Sequence, residues 1–230
     1  MLQIQQFSFN ILGTNCYVIY GGAEGRCVVA DPGMYRPYEK EQLFDFLSQN
    51  GLVPDGILLT HGHFDHVWGV AAVLERFPGC PVYLSVRDEE VLLSGEQSIR
   101  SFGLKNGLEL FPRSDAPDGL ELSLAGFRWQ AIATPGHTPG GTCWWCPDER
   151  LLLSGDTLFA GTIGRSDLPG GDYDALIRSI LERLMDLPGD TQLLPGHGHA
   201  SSIGREAMTN PFLLPFNEPD PDWSSLEPLR

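Results

Sequence analysis

Three of the chain's six histidines fall within seven residues, Thr60-His61-Gly62-His63-Phe64-Asp65-His66. The segment follows Gly56-Ile57-Leu58-Leu59-Thr60, an apolar run that reads as a buried strand. A loop leaving the end of such a strand can aim several ligands at one point, and Gly62 lets the backbone turn tightly between the first two imidazoles. A zinc-like ion takes N and O ligands at about 2.0–2.2 Å, and a catalytic ion also keeps a position open for water. The chain must therefore fold so that a polar, metal-seeking loop sits on the rim of a core. Three further segments put a His or Asp just after a predicted strand: Thr134-Pro135-Gly136-His137-Thr138, Leu153-Ser154-Gly155-Asp156-Thr157 and Leu194-Pro195-Gly196-His197-Gly198-His199. Functional loops of layered α/β folds collect at the carboxyl ends of strands, where such distant segments can converge.

The remaining pattern suits a layered fold. Short apolar runs at Ile4–Phe9, Cys16–Tyr20 and Cys27–Ala30 read as strands, as do 81–85, 120–124, 127–133, 142–146, 151–154 and 191–194. A helix is expected over about Tyr38–Asn50, with Leu43, Phe46 and Leu47 on one face and Gly51 as its stop. Val67, Val70, Ala71, Leu74 and Phe77 recur at helical spacing and predict a second helix ended by Pro78-Gly79. Asp172 is placed to cap a third, carrying Tyr173, Leu176, Ile177, Ile180, Leu181 and Leu184, and a short helix follows Ser202. The many turns, with 27 Gly and 18 Pro, fit short elements better than a bundle. One catalytic domain is expected over residues 1–210, with a Pro-rich acidic tail over 211–230.

A formal charge of −15, with no Lys/Arg run, leaves no footprint for a phosphate backbone, so nucleic acid is not an expected partner. Bound dications can still attract a small anion. The N-terminus has neither a basic start nor an apolar stretch, and no window approaches 18 apolar residues, so neither a signal nor a membrane contact is expected. Five cysteines, an odd and small number, fit a reduced, cytoplasmic setting. Cys143-Trp144-Trp145-Cys146 has no second pair to complete a zinc site, and on a strand its cysteines stand about 10 Å apart on opposite faces.

Taken in order from Asp31-Pro32-Gly33 to His197, these motifs resemble the metallo-β-lactamase superfamily. The resemblance implies an αββα sandwich with the site at one rim of its two sheets. It further implies that His61, His63 and His137 hold one metal, that Asp65, His66 and His197 hold a second, and that Asp156 bridges both. Other readings stand beside these roles. A lone histidine is more often structural than a ligand, Asp156 could be a cap or turn residue, and Asp31 is either a simple turn residue or a partner of the ligands. His199 has no place in the pattern and is expected beside the ligands or in solvent.

Within the superfamily, Gly155-Asp156-Thr157-Leu158-Phe159 and Gly161-Thr162-Ile163-Gly164-Arg165 are similar to the glyoxalase II group, the hydroxyacylglutathione hydrolases. That likeness implies hydrolysis of a glutathione-linked thioester by a hydroxide bridging two divalent metals, zinc first, with iron or manganese as other choices. Asp65 would hold its metal and orient the nucleophile. Arg165 occupies the offset at which the group has a basic residue touching glutathione, although an exposed arginine is as readily a solvated surface charge. Two features depart from the group. Only 33 residues follow His197, where longer enzymes carry a helical domain, and Arg165-Ser166-Asp167-Leu168 lacks the aromatic residue after the basic one. The second feature resembles short single-domain relatives and persulfide dioxygenases; dioxygenation with a single iron is the first alternative and lactone hydrolysis the second.

Overall fold

The computed structural model describes residues 2–104 and 107–217. Two sheets pack face to face with helices outside each. The first has the order β1 (Gln3–Phe9), β2 (Thr14–Tyr20), β3 (Arg26–Ala30), β4 (Val53–Leu58), β5 (Val82–Tyr83). Its first three strands form an antiparallel meander, and β4 and β5 run parallel to β3. The second sheet is ordered β13 (Ser201–Ser202), β12 (Gln192–Pro195), β9 (Leu151–Gly155), β8 (Thr142–Cys146), β7 (Phe127–Ala133), β6 (Glu121–Leu124).

Alternation along the strands builds three cores. Tyr17, Ile19, Val28, Ala30 and Leu58 meet Trp129, Trp144, Leu153 and Leu194 between the sheets. The alternate residues Cys16, Val18, Cys27, Val29 and Ile57 pack on Leu43 and Leu47 of α1 (Pro37–Gln49) and on Val70 and Val73 of α3 (Val70–Arg76). On the far side, Ile132, Cys143, Leu152 and Leu193 pack on Leu176 and Ile177 of α6 (Tyr173–Ser179). Burial on both faces explains why these strands read as near-continuous apolar runs. Cys143 and Cys146 thus enter different cores, and all five cysteines are free. This is the αββα sandwich that the resemblance implies. Among the described residues, no helix is long and apolar enough to cross a membrane.

Several elements depart from the expected ones. The pattern from Val67 to Phe77 predicts one helix, yet the chain forms α2 (Phe64–Val67) and α3, broken at Trp68-Gly69. The Gly69 N–H bonds to Pro32 O (2.7 Å), and the Asp65 carbonyl, its helical acceptor, instead accepts Asn10 Nδ2 (3.0 Å). A side chain at Gly69 would also strike Met34 and the Pro32 carbonyl. Residues 86–101, which carry no clear period, form a short turn followed by α4 (Glu89–Leu93) and α5 (Gly95–Ser101). The hairpin β10 (Leu158–Phe159) and β11 (Thr162–Ile163) was not expected either. The helix capped by Asp172, whose carboxylate accepts Ala175 N (2.9 Å), passes into a π-helical turn at Ile180–Leu184. Past α7 (Ile203–Thr209), capped by Ser202, the chain turns and forms α8 (Leu214–Asn217), with Leu213 buried in the outer core. The rest of the expected tail, 218–230, lies outside the described residues.

The sheets are also joined by a buried bond from Trp144 Nε1 to Leu59 O (2.9 Å). Trp144→Phe removes this donor, strands the carbonyl and leaves a small void, so we expect a loss of about 2–4 kcal/mol. Urea denaturation should show a lower midpoint with unchanged slope. A loss under about 0.5 kcal/mol, the scatter of surface changes, would mean the bond does not hold the sheets together.

Candidate metal centre

Because β7 and β9 are both antiparallel to β8, and β12 is parallel to β9, the carboxyl ends of β7, β9 and β12 share one rim. The loops that leave those ends carry His137, Asp156 and His197. The other sheet brings its own loop to the same rim: beyond β4, Thr60 O accepts Thr142 N (2.8 Å), and Gly196 O accepts Asn15 N from β2 (2.7 Å). All seven residues proposed from the sequence as ligands meet there. His61, His63 and His137 form one group of donor atoms, and Asp65, His66 and His197 form another. Asp156 joins His61 and His66 in a third group, with its Oδ1 3.5 Å from His66 Nε2 and its Oδ2 3.6 Å from His137 Nε2 and 3.5 Å from His197 Nε2.

The donor set can be tested against a cation. His63 Nδ1 and His137 Nε2 are 2.9 Å apart, and Asp65 Oδ2 lies 3.4 Å from both His66 Nε2 and His197 Nε2. Ligands about 2.1 Å from a tetrahedral ion stand about 3.4 Å from each other, so these spacings fit shared coordination. The buried His61 Nε2 and Asp156 Oδ1 have no hydrogen-bond partner. Leaving such atoms unpaired is costly, which suits groups that meet an ion instead. A Cβ at Gly196 would lie 2.2 Å from Asp156 Oδ1 and 2.7 Å from His66 Cε1, so this approach requires glycine.

Hydrogen bonds set which nitrogen faces the site. Thr60 Oγ1 donates to Asp31 Oδ2 (2.7 Å), so it can only accept from His61 Nδ1 (3.0 Å), and His61 turns its lone pair inward at Nε2. His66 Nδ1 donates to the same Asp31 oxygen (3.0 Å), and His137 Nδ1 donates to the Arg165 carbonyl (2.7 Å). Thr14 Oγ1 donates to Asp65 Oδ2 (2.7 Å). Asp31, open in the sequence between turn and partner of the ligands, is thus such a partner.

Protonation follows from these surroundings. Burial lowers His61 well below its usual range, and the other histidines push the same way. Burial and His137 bring His63 down to about 3. His66 is also buried, but Asp65, Asp156 and Asp31 outweigh that and raise it to about 10. Burial opposes ionisation of Asp65, yet His66, His197 and Thr14 hold it below the ordinary carboxylate range. The centre thus combines neutral imidazole donors with two positions that favour positive charge, His66 and His197, the second raised against its burial by Asp65 and Asp156.

Two readings change with the geometry. Arg165 lines the cleft over the cluster, but its exposed guanidinium is clasped by Asp167, with Nε to Oδ1 at 2.7 Å and Nη2 to Oδ2 at 2.8 Å. Gly62 has no left-handed backbone. Its N–H donates to Asp88 Oδ2 (2.7 Å), and a Cβ there would sit 3.0 Å from Asp88 O. His199 is exposed at the cleft wall.

Asp88 escaped the sequence reading. It is fully buried and also accepts Thr138 Oγ1 (2.9 Å) and Gly140 N (2.5 Å), tying the His61/His63 loop to the His137 loop. Burial pushes its carboxyl above the ordinary value against those three donors. A lone carboxylate after a strand end, in no motif, gave only a faint signal.

The chain belongs to the metallo-beta-lactamase superfamily, whose pattern matches residues 10–197. Hydroxyacylglutathione hydrolase GloC of Haemophilus influenzae is 37% identical over 86% of this chain and 92% of its own length. Among solved structures, TTHA1623 in a di-iron-bound form is 37% identical, covering 91% of this chain and 100% of its own, with a TM-score of 0.80. BLEG-1, a B3 metallo-beta-lactamase, is 35% identical, covering 92% and 99%, with a TM-score of 0.83. Fold and cluster together define a metal-dependent hydrolase.

Asp88→Asn puts an amide N–H₂ against backbone donors. We expect about 2–4 kcal/mol lower stability by urea denaturation and about 10- to 100-fold weaker metal binding. Normal metal affinity would show that Asp88 does not position the histidine loops. Metal titration of the metal-free protein at pH 7.5 should release at least one proton, since His66 at about 10 holds a proton that coordination displaces. Calorimetry in buffers of different ionisation enthalpy reads this, and a null result rejects His66 as a ligand.

Proposed function

We propose that the chain is a binuclear metallohydrolase that cleaves thioesters, with a glutathione-linked thioester as the first substrate to try. The observation that carries this reading is the pair of donor groups joined through Asp156 at the base of a cleft of about 720 Å³. His61, His63 and His137 would hold one divalent ion and Asp65, His66 and His197 the other, with Asp156 between them. Zinc is the first choice, and iron gains support from the di-iron form of TTHA1623. Bound there, the ions supply Lewis acidity and a hydroxide-like nucleophile at neutral pH.

The chain's own residues do the positioning. Asp31 fixes the tautomers of His61 and His66, and Arg165 fixes His137 through its carbonyl. Thr14 holds the Asp65 carboxylate toward the two histidines beside it. Apart from the proposed ligands, His199 is the one further imidazole among the described cleft residues, and it is exposed. A thiolate, whose parent thiol has a pKa of about 8.5, leaves without a strong acid. That chemistry suits this cleft better than an amine or alkoxide leaving group. Arg165 would meet a substrate carboxylate by exchanging Asp167, an exposed and therefore weakly held partner. The likeness to GloC supports the thioester, and the five free cysteines support a cytoplasmic setting.

β-Lactam hydrolysis is the second reading, favoured by the similarity to BLEG-1. Dioxygenation would use one donor group and leave the other idle. The test is metal analysis of protein purified without added metal, with assays on S-lactoylglutathione, a chromogenic cephalosporin, and oxygen uptake with glutathione persulfide. Two equivalents of metal and thioester turnover are expected. Asp156→Ala should lower both equivalents and reduce kcat/KM by about 10³-fold, several kcal/mol of charge stabilisation. Lactam turnover or oxygen uptake without thioester cleavage would overturn the reading, as would Asp156→Ala retaining both metals and near-normal turnover.

A further inference from the structure

The cleft carries a single arginine in a lining that is otherwise largely apolar, with Phe159, Ala160, Leu168 and Pro169 near that arginine in the chain. Arg165 and Thr162 stand on one part of the lining, beside the β10–β11 hairpin. A different part is built by α4 and α5, which contribute Val91, Ser94, Ser98 and Phe102. Phe64 connects this wall to the reacting centre, because it lies between His63 and Asp65 in the chain and its ring sits 5.5 Å from that of Phe102. Val91 and Phe64 are buried beneath, while Phe102 is 50% exposed over the cleft. Phe64, Val91 and Phe102 together give this part of the cleft the apolar lining that ligand pockets use.

The two serines add acceptors but no free donor to this wall. Ser94 Oγ donates to Val91 O (2.8 Å), and Ser98 Oγ donates to Ser94 O (3.3 Å), so both protons are spent on helix carbonyls. Neither hydroxyl is left to donate to a bound molecule. Among the described lining residues, the only cationic side chain besides the histidines is Arg165, which belongs to the other wall. A charged or hydrogen-bonding portion of a substrate therefore finds its partner near Arg165. A portion lying on α4–α5 meets Val91, Phe64 and Phe102, with only two serine oxygens left to accept, so an apolar portion is the better match.

We infer that α4–α5 is an acyl-binding wall and that the substrates are thioesters of apolar acyl groups, aliphatic or aromatic, rather than of short hydroxylated ones. This rests on the thioester reading above and names its substrate class. The occupant follows from continuity: the wall begins at Phe64, between two proposed ligands, so what covers it is attached to the carbonyl held at the centre. The polar thiol half of the substrate extends along the Arg165 side.

The experiment is a series of S-acylglutathiones from acetyl to hexanoyl, with lactoyl alongside, assayed on the metal-loaded protein. Burial of each added methylene should raise kcat/KM about two- to fourfold, a total on the order of 10²-fold, and butanoyl should exceed lactoyl. Phe102→Ser should collapse the hexanoyl-to-acetyl ratio toward one, and Phe102→Leu should restore most of it. The side chain is half exposed, so both variants should fold, and circular dichroism checks that they do. A flat or falling series, or a preference for lactoyl, overturns the inference. If no thioester is cleaved, the hydrolytic reading fails separately, and calorimetric binding of butanoate to octanoate still tests the wall. Affinity that grows with chain length in the wild type, but not in Phe102→Ser, supports it, and affinity independent of chain length overturns it.

Discussion

The carboxylate of Asp31 is the contact on which the site is built. It accepts Thr60 N at 2.8 Å and Thr60 Oγ1 at 2.7 Å, joining the ends of β3 and β4, and it takes His66 Nδ1 on the same oxygen as Thr60 Oγ1. Through Thr60 it also fixes His61. One buried group thereby decides which nitrogen two separate imidazoles present. Asp31 has φ of 45°, a left-handed conformation that aspartate tolerates better than most residues. That backbone bend is kept because four groups depend on the carboxylate it orients. A carboxamide in its place could not accept from all of these donors, which is why the ligand residues alone do not describe the centre.

The same device recurs farther out. Glu39 is buried and accepts Asn10 N, Tyr35 N and Arg36 N, and Asn10 in turn donates to the backbone carbonyls of Gly33 and Asp65. Asp88 binds the loops of His61/His63 and His137. Glu206 accepts Gly161 N and Asn210 Nδ2, holding the hairpin whose continuation supplies the Arg165 carbonyl to His137. Each buried carboxylate is matched by two or more donors, many of them backbone N–H groups, so loop segments that could not pair as strands are still satisfied. Loops carrying the proposed ligands are in this way tied to the two sheets by buried hydrogen bonds.

Legibility from the sequence tracked how local the cause was. The convergence of the seven proposed ligands was readable because each follows a strand end and carries a motif of its own. The two-sided strands were readable because burial on both faces writes a continuous apolar run. The break at Trp68-Gly69 was not, since it depends on Asn10 and Pro32 capturing hydrogen bonds from far along the chain. Asp88 was hidden for the same reason: its donors lie 26 to 52 residues away. Residues 86–101 lacked a period because α4 and α5 are each too short to show one, and their outer positions face the cleft rather than a core. Arg165 was placed at the cleft by motif, but its pairing two residues on with Asp167 depends on loop geometry that spacing does not specify.

These features bear on why so acidic a chain would carry a site for an anionic or polarised substrate. Asp31, Asp65 and Asp156 surround His66 and raise it to about 10, so with no cation present the centre retains a proton there. His61 and His63, by contrast, are kept neutral mainly by burial. A cluster of only carboxylates would repel itself in a core, and one of only imidazoles would have little pull on a dication. Interleaving them leaves a buried centre that is tolerable when protonated at His66 and better completed by metal charge. Once that charge is present, the local field at the cleft floor is positive despite the chain's net −15. Under the proposed thioester reading, the carbonyl would meet attraction from below, while the α4–α5 wall would offer the acyl group mainly dispersion and exclusion of water. On that reading, specificity would come from the shape and hydrophobicity of the group that rides on that wall, since the charge at its base treats every carbonyl alike.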